Sequence, residues 1–259
     1  MKRILSLISL AGLFLIASCF NPPEYSDVPS IDFENVRTKV VPGPTTPDSL
    51  FVTISFRDGD GDLGGSGTEN SPPFNPKWYF LLEPGPTCEK TVTPPCKKIS
   101  FVDASNLANV VRYSTKRTNS DYDTLPAYVK PFICNNYEIL RDDQGQIIDT
   151  VYIQRNSRTF NYFCDLYINE GAGFVKYDWS LLGTGCPLPG GGFYGRFDVL
   201  GKDGNPDLGL PIEGTLTFRF GSSSLFSTLK SKSLQLKIKI LDRSGNYSNE
   251  VMSDPFSLN

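Results

Sequence analysis

Leu50-Phe51-Val52-Thr53-Ile54-Ser55-Phe56 decides the fold class. Leu50, Val52, Ile54 and Phe56 fall on one face of an extended chain, and Phe51, Thr53 and Ser55 on the other, the period-two pattern of a strand. Ser233–Leu241 repeats it: Leu234, Leu236, Ile238 and Ile240 alternate with Gln235, Lys237 and Lys239, as in a half-buried strand. Working outward, further strands are expected at 77–82, 98–102, 150–154, 160–168, 173–179, 195–200 and 214–220. Residues 103–111 are the best short-helix candidate, with Asp103 as its cap. Many strands, turn-rich joints and few helical periods predict an all-β, Ig-like β-sandwich.

Composition agrees. The 23 Gly and 20 Pro supply turns, while the 18 Phe and 12 Tyr favour strands. With 25 basic and 28 acidic residues the net charge is -3, and no basic block marks a nucleic-acid surface. The chain has no histidine. That removes His-dependent triads, His-ligated zinc and imidazole acid–base chemistry, leaving carboxylate-only and Ser-Lys mechanisms.

The amino terminus reads as an export and anchoring signal. Met1-Lys2-Arg3 is basic, and the apolar run to Ala17 is too short to span a bilayer comfortably. It ends in Leu15-Ile16-Ala17-Ser18-Cys19, which resembles the lipobox of bacterial lipoproteins. The resemblance implies cleavage of residues 1–18 and fatty acyl chains such as palmitate on Cys19; two or three chains anchor stably where one is marginal. Pro22, Pro23 and Pro29, with Pro42 and Pro44 further on, suggest an extended tether over 19–47. The β-sandwich body is then 48–259, and about 65–192 is a large central β insertion or second β subdomain.

Three stretches resemble a group of Bacteroidota outer-membrane lipoproteins: Pro23 to Phe33, Asp48 to Gly64 with its Asp-Gly-Asp-Gly-Asp-Leu-Gly loop, and Ile240 to Asn249. The resemblance implies a lipid-anchored outer-membrane protein with an Ig-like β domain, and no biochemical activity. The side of the membrane it faces stays open. Asp48-Ser49-Leu50, Asp123-Thr124-Leu125 and Asp149-Thr150-Val151 match an O-glycosylation pattern of exported Bacteroidota proteins, with Ser49, Thr124 and Thr150 as acceptors; ordinary strand starts are the alternative.

Five cysteines remain after Cys19, and an exported compartment permits disulfides. Cys88 and Cys96 suit a local staple. Cys134 and Cys164 suit a tie between strands, with Cys164–Cys186 in competition; the odd count leaves one thiol over.

The acidic glycine loop carries the most chemistry. Asp58, Asp60 and Asp62 alternate with Gly59 and Gly61, so their carboxylates can converge on one hard cation, and calcium takes six to eight oxygens. Asp203-Gly204-Asn205-Pro206-Asp207-Leu208-Gly209 has the same spacing, making Asp203, Asn205 and Asp207 a second candidate set. Neither is an EF-hand: the glycine falls one place late, and the twelfth position is Glu69 or Gly214. The alternative is that Asp and Gly simply make turns. Asp242-Arg243-Ser244-Gly245-Asn246 reads as a hairpin turn whose Asp242 could reach an ion nearby. Trp78, Tyr79, Phe80, Tyr162, Phe163, Tyr167, Tyr177 and Trp179 suit a β core better than a sugar-binding face.

The expected function is a membrane-anchored, non-catalytic envelope module that binds a protein or glycan partner or plays a structural part, stabilised by calcium. The alternative is a carboxylate-dependent glycan hydrolase, which needs two carboxylates about 5–10 Å apart in a concave cleft.

Overall fold

The computed structural model describes residues 23–39, 49–81, 98–100, 110–114, 137–177, 192–201, 209–221 and 228–258. The leader at 1–18, Cys19, Cys88, Cys96, Cys134, Cys186, Thr124, Trp179, Asp203, Asn205, Asp207 and residues 103–109 lie outside the described residues.

The described strands are β1 (Ser30–Lys39), β2 (Ser49–Asp58), β3 (Lys77–Leu81), β4 (Lys98–Ser100), β5 (Tyr137–Arg141), β6 (Ile147–Arg155), β7 (Tyr162–Asn169), β8 (Phe174–Lys176), β9 (Ile212–Gly221), β10 (Ser233–Ile240), β11 (Val251–Met252) and β12 (Phe256–Ser257). They form three antiparallel sheets: β1-β2-β9, β11-β10-β7-β8 with β12 also on β10, and β4-β3-β6-β5. The first two face each other across one core. Leu50, Val52, Ile54 and Phe56 of β2 meet Leu234, Leu236, Ile238 and Ile240 of β10, with Leu166 and Ile168 of β7 beside them. The fold is an all-β sandwich. Burying each such side chain contributes about 1.5–3 kcal/mol, so truncating the fully enclosed Leu236 or Ile238 removes a large share of the stability.

The third sheet has its own smaller cluster of Tyr79, Val110, Val151 and Ile153. Its described strands lie between residues 77 and 155, within the expected central insertion of 65–192, and that span also holds β7 and β8. β7 and β8 belong to the sandwich, because Cys164, Leu166 and Ile168 point into the shared core.

Three other expectations change. Residues 30–39, placed in the tether, form β1, paired with β2 from Ser30↔Arg57 to Lys39↔Ser49. A bulge between Phe33 and Asn35 shifts the register. The core-directed residues therefore run Ile31, Phe33, Val36, and the simple alternation is broken. Residues 195–200 form no regular strand; Gly195 makes an isolated bridge to Tyr162, and the chain then lies along Leu63 and Gly65. The described end of the expected helix is extended instead: Arg112 bridges Val151, and the Tyr152 amide donates to the Val111 carbonyl at 3.1 Å. No helix of the described residues is long and apolar enough to cross a membrane.

Candidate metal centre

Asp58 and Asp242 meet because two strands continue their inward register one step too far. On β2 the core-facing positions are 50, 52, 54 and 56, and the next is Asp58, which is 0 % exposed. On β10 they are 234, 236, 238 and 240, and two residues on stands Asp242, 3 % exposed. These strands lie in opposite sheets, so the same end of the sandwich receives a carboxylate from each side. Asp62, 3 % exposed, returns from the loop to join them. One carboxylate oxygen from each of Asp58, Asp62 and Asp242 lies within 4.8 Å of the other two. Two oxygens on opposite sides of one calcium stand about 4.6–5.2 Å apart.

Part of each carboxylate is used in shaping the loops. Asp58 Oδ2 accepts the Asp62 amide at 3.1 Å. Asp62 Oδ2 accepts the Ser244 amide at 2.8 Å and the Ser244 hydroxyl at 2.7 Å. Asp242 Oδ1 accepts the amides of Gly245 and Asn246, each at 2.6 Å, and its Oδ2 accepts Asn246 Nδ2 at 2.8 Å. Asp58 Oδ1, Asp60 Oδ1 and Asp62 Oδ1 are buried with no hydrogen-bond partner. A buried polar atom without a partner costs about 1–3 kcal/mol, more when charged. At an effective dielectric of about 20, each pair of ionised carboxylates this close repels by about 3 kcal/mol. Burial foremost, then the charges of Asp60 and Asp62, push the Asp58 carboxyl up to about 7. Burial also raises Asp60 and Asp242 above the ordinary carboxylate range. Ionised, these groups repel one another and leave buried oxygens unsatisfied, and a cation among them would relieve both costs.

Among the described residues no basic side chain forms an ion pair with these carboxylates. Arg243 follows Asp242 in sequence, yet its guanidinium turns to Glu69 in a two-pronged pair at 3.0 and 2.7 Å and lies over the Phe74 ring. Arg196 grips the same excursion of chain, donating to the carbonyls of Ser66, Glu69 and Phe74 at 2.6–2.9 Å. Arg158 donates to the Arg243 carbonyl at 2.6 Å. The cavity between these arginines, Phe74 and Asn161 has a volume of about 10 Å³, room for about one water and far below a sugar ring.

The glycines fix the loop's course. Gly64 has φ +100°, and a Cβ there would stand 2.3 Å from the Asp198 carbonyl oxygen. Leu63 and Gly65 beside it bond to the 197–200 segment, through Leu200 N to Leu63 O and Gly65 N to Phe197 O, both at 3.0 Å.

Of the expected ligands, Asp58 and Asp62 enter the triad and Asp60 stands at its edge. Beyond the second acidic loop's carboxylates, which lie outside the described residues, the Gly209 amide donates to the Asp60 carbonyl at 2.7 Å. Asp242 matters more than its turn signature suggested, and its parity with Leu234–Ile240 is the signal that points to it. Glu69, Arg196 and Arg243 carried no sequence signal as loop anchors.

Several further candidates are buried. Among the described residues Cys164 has no disulfide partner: it is a free, fully buried thiol packed in the core, and burial raises its pKa. Ser49 is 1 % exposed, its hydroxyl accepting Arg219 Nε at 3.1 Å, and Thr150 is 8 % exposed within β6. Neither is open to a glycosyl donor on the folded chain, because both side chains are enclosed within strands. Tyr79 and Phe163 are buried, and Tyr162 stacks on Phe218 with ring centroids 4.4 Å apart, so these aromatics are core. Comparison with family models, with curated proteins and with solved structures finds no match.

Proposed function

We propose that this chain is a lipid-anchored, non-catalytic module of a bacterial outer membrane whose sandwich is stapled at one end by a calcium ion. The observation that carries the calcium is the set of unpartnered buried oxygens on Asp58, Asp60 and Asp62, gathered with Asp242 from the opposite sheet. Hard carboxylate oxygens in an enclosed site suit calcium; a chain without histidine, and a cluster with no thiol among the described residues, disfavour softer ions. The ion ties the end of β2 to the end of β10 and so joins the two sheets where, among the described residues, no side chain of opposite charge pairs with the acids. The anchor rests on Leu15-Ile16-Ala17-Ser18-Cys19 after a short basic start. The body then presents its surface to an envelope protein or glycan.

Calorimetric titration of the full mature chain in detergent tests the ion. One calcium per chain, with a higher unfolding temperature in its presence, is expected. No heat and no thermal shift at millimolar calcium removes the staple. Mass spectrometry tests the anchor: an amino-terminal peptide beginning at Cys19 and carrying acyl chains is expected, whereas a free Cys19 thiol with the leader intact overturns it.

A further inference from the structure

Resting on the calcium site above, we propose that its occupancy controls whether residues 23–28, ahead of β1, are docked on the sandwich. Gly59, between Asp58 and Asp60, carries the contact. Its amide donates to the Ser26 carbonyl at 2.9 Å. A Cβ on Gly59 would stand 2.4 Å from the Tyr25 carbonyl oxygen and 2.8 Å from both the carbonyl carbon and the oxygen of Ser26. The backbone of Tyr25 and Ser26 therefore lies directly on the acidic loop, where only glycine leaves room. A second contact, from the Tyr25 hydroxyl to Glu213 Oε2 at 2.7 Å, is solvent-exposed and weak by itself.

Charge makes this seat conditional. Asp27 lies in the same segment, exposed, and its charge acts on Asp60. Without a cation, the charge of Asp27 adds to that of Asp60, the loop loses what holds its course, and the segment comes off it. With one bound, the loop keeps the course that presents the Gly59 amide. Release stops at β1 for a reason independent of the ion: Asn249 holds Ile31 from both sides, accepting its amide and donating to its carbonyl, each at 2.8 Å. Loss of the cation thus frees residues 23–28, up to the buried Pro29, about 20 Å of chain when extended.

Hydrogen–deuterium exchange on the full chain, in millimolar calcium and then in chelator, tests the coupling. Exchange at the Gly59 amide, which the Ser26 carbonyl protects, is expected to rise at least tenfold on chelation while β1 amides 31–36 keep their protection. In Gly59→Ala, which leaves every carboxylate in place, calcium still binds but the amide at position 59 exchanges fast in both conditions. Calorimetric binding with equal wild-type protection of the Gly59 amide in both conditions overturns the coupling and leaves the site standing. Absence of binding overturns the site and the coupling together.

Discussion

Two acidic glycine turns in this molecule look alike and behave differently. Asp142-Asp143-Gln144-Gly145 closes the β5–β6 hairpin. Asp142 Oδ1 there accepts the amides of Gln144 at 3.0 Å and Gln146 at 2.7 Å, and Gly145 takes φ +78° facing open solvent. That carboxylate does what turn chemistry asks of an aspartate, in contact with water. In the loop 58–64 the same residue types are enclosed, and three oxygens have no donor. Turn formation explains the first completely and the second only in part. What separates them is burial: a carboxylate at a hairpin tip is hydrated, whereas one that extends a core-facing strand register has lost its water and must find a donor or a cation.

The largest effect that can break this contrast is in Asp62→Ala. At calcium a hundredfold above its Kd, bound ion stabilises the native chain by about 2.7 kcal/mol, and the variant is expected to lose that calcium-dependent increment in thermal unfolding. A wild-type calcium shift in the variant would reduce 58–64 to a plain turn.

Next comes pH. In chelator, Asp58 binds its proton more tightly folded than unfolded, since its carboxyl is raised from 3.8 to about 7. Its ionisation therefore opposes folding. Stability is highest below the unfolded value, falls as pH climbs through the window up to about 7, and is level above, with a slope of at most about 1.4 kcal/mol per pH unit. Asp58→Asn is expected to flatten that slope, and calcium to reverse it, because the ion binds the ionised form. Denaturant midpoints measured across the window decide it; a slope unchanged in Asp58→Asn points to another group.

A matched pair of glycine substitutions sharpens the contrast further. Gly64→Ala combines a left-handed backbone cost of about 1–2 kcal/mol with a clash against the Asp198 carbonyl, which must shift. Gly145→Ala carries the backbone cost alone, about 1 kcal/mol. Equal losses in urea melts would mean that the Gly64 contact yields freely. The smallest effect is in Asp142→Ala: a loss of about 1 kcal/mol or less and calcium binding unchanged by calorimetry.

Much of this was legible before any coordinates. Strands β2 and β10 declared themselves by parity, since one buried face imposes a period of two. β1 hid behind its bulge and its neighbouring prolines, because the extra residue breaks the alternation that would have marked it. The 195–200 segment has strand-like residues, yet its partners are a loop and single bridges, which no local pattern records. Cys164 is a core residue of β7, and the cysteines expected to compete for it, Cys134 and Cys186, lie outside the described residues. The loop acids were visible one turn at a time, but their convergence with Asp242 was not, since 180 residues separate Asp62 from Asp242.

Alternation and turn composition were enough to fix an all-β body and the inward face of its two central strands. Those properties are set by neighbours a few residues apart along the chain. Which sheet faces which, the meeting of Asp58 with Asp242 at one end of the sandwich, the turning of Arg243 away to Glu69 and the seating of Ser26 on Gly59 all depend on contacts between residues far apart in the chain. Such contacts arise only when two sheets close over a common core, and that closure strips the water from the carboxylates and makes them a site.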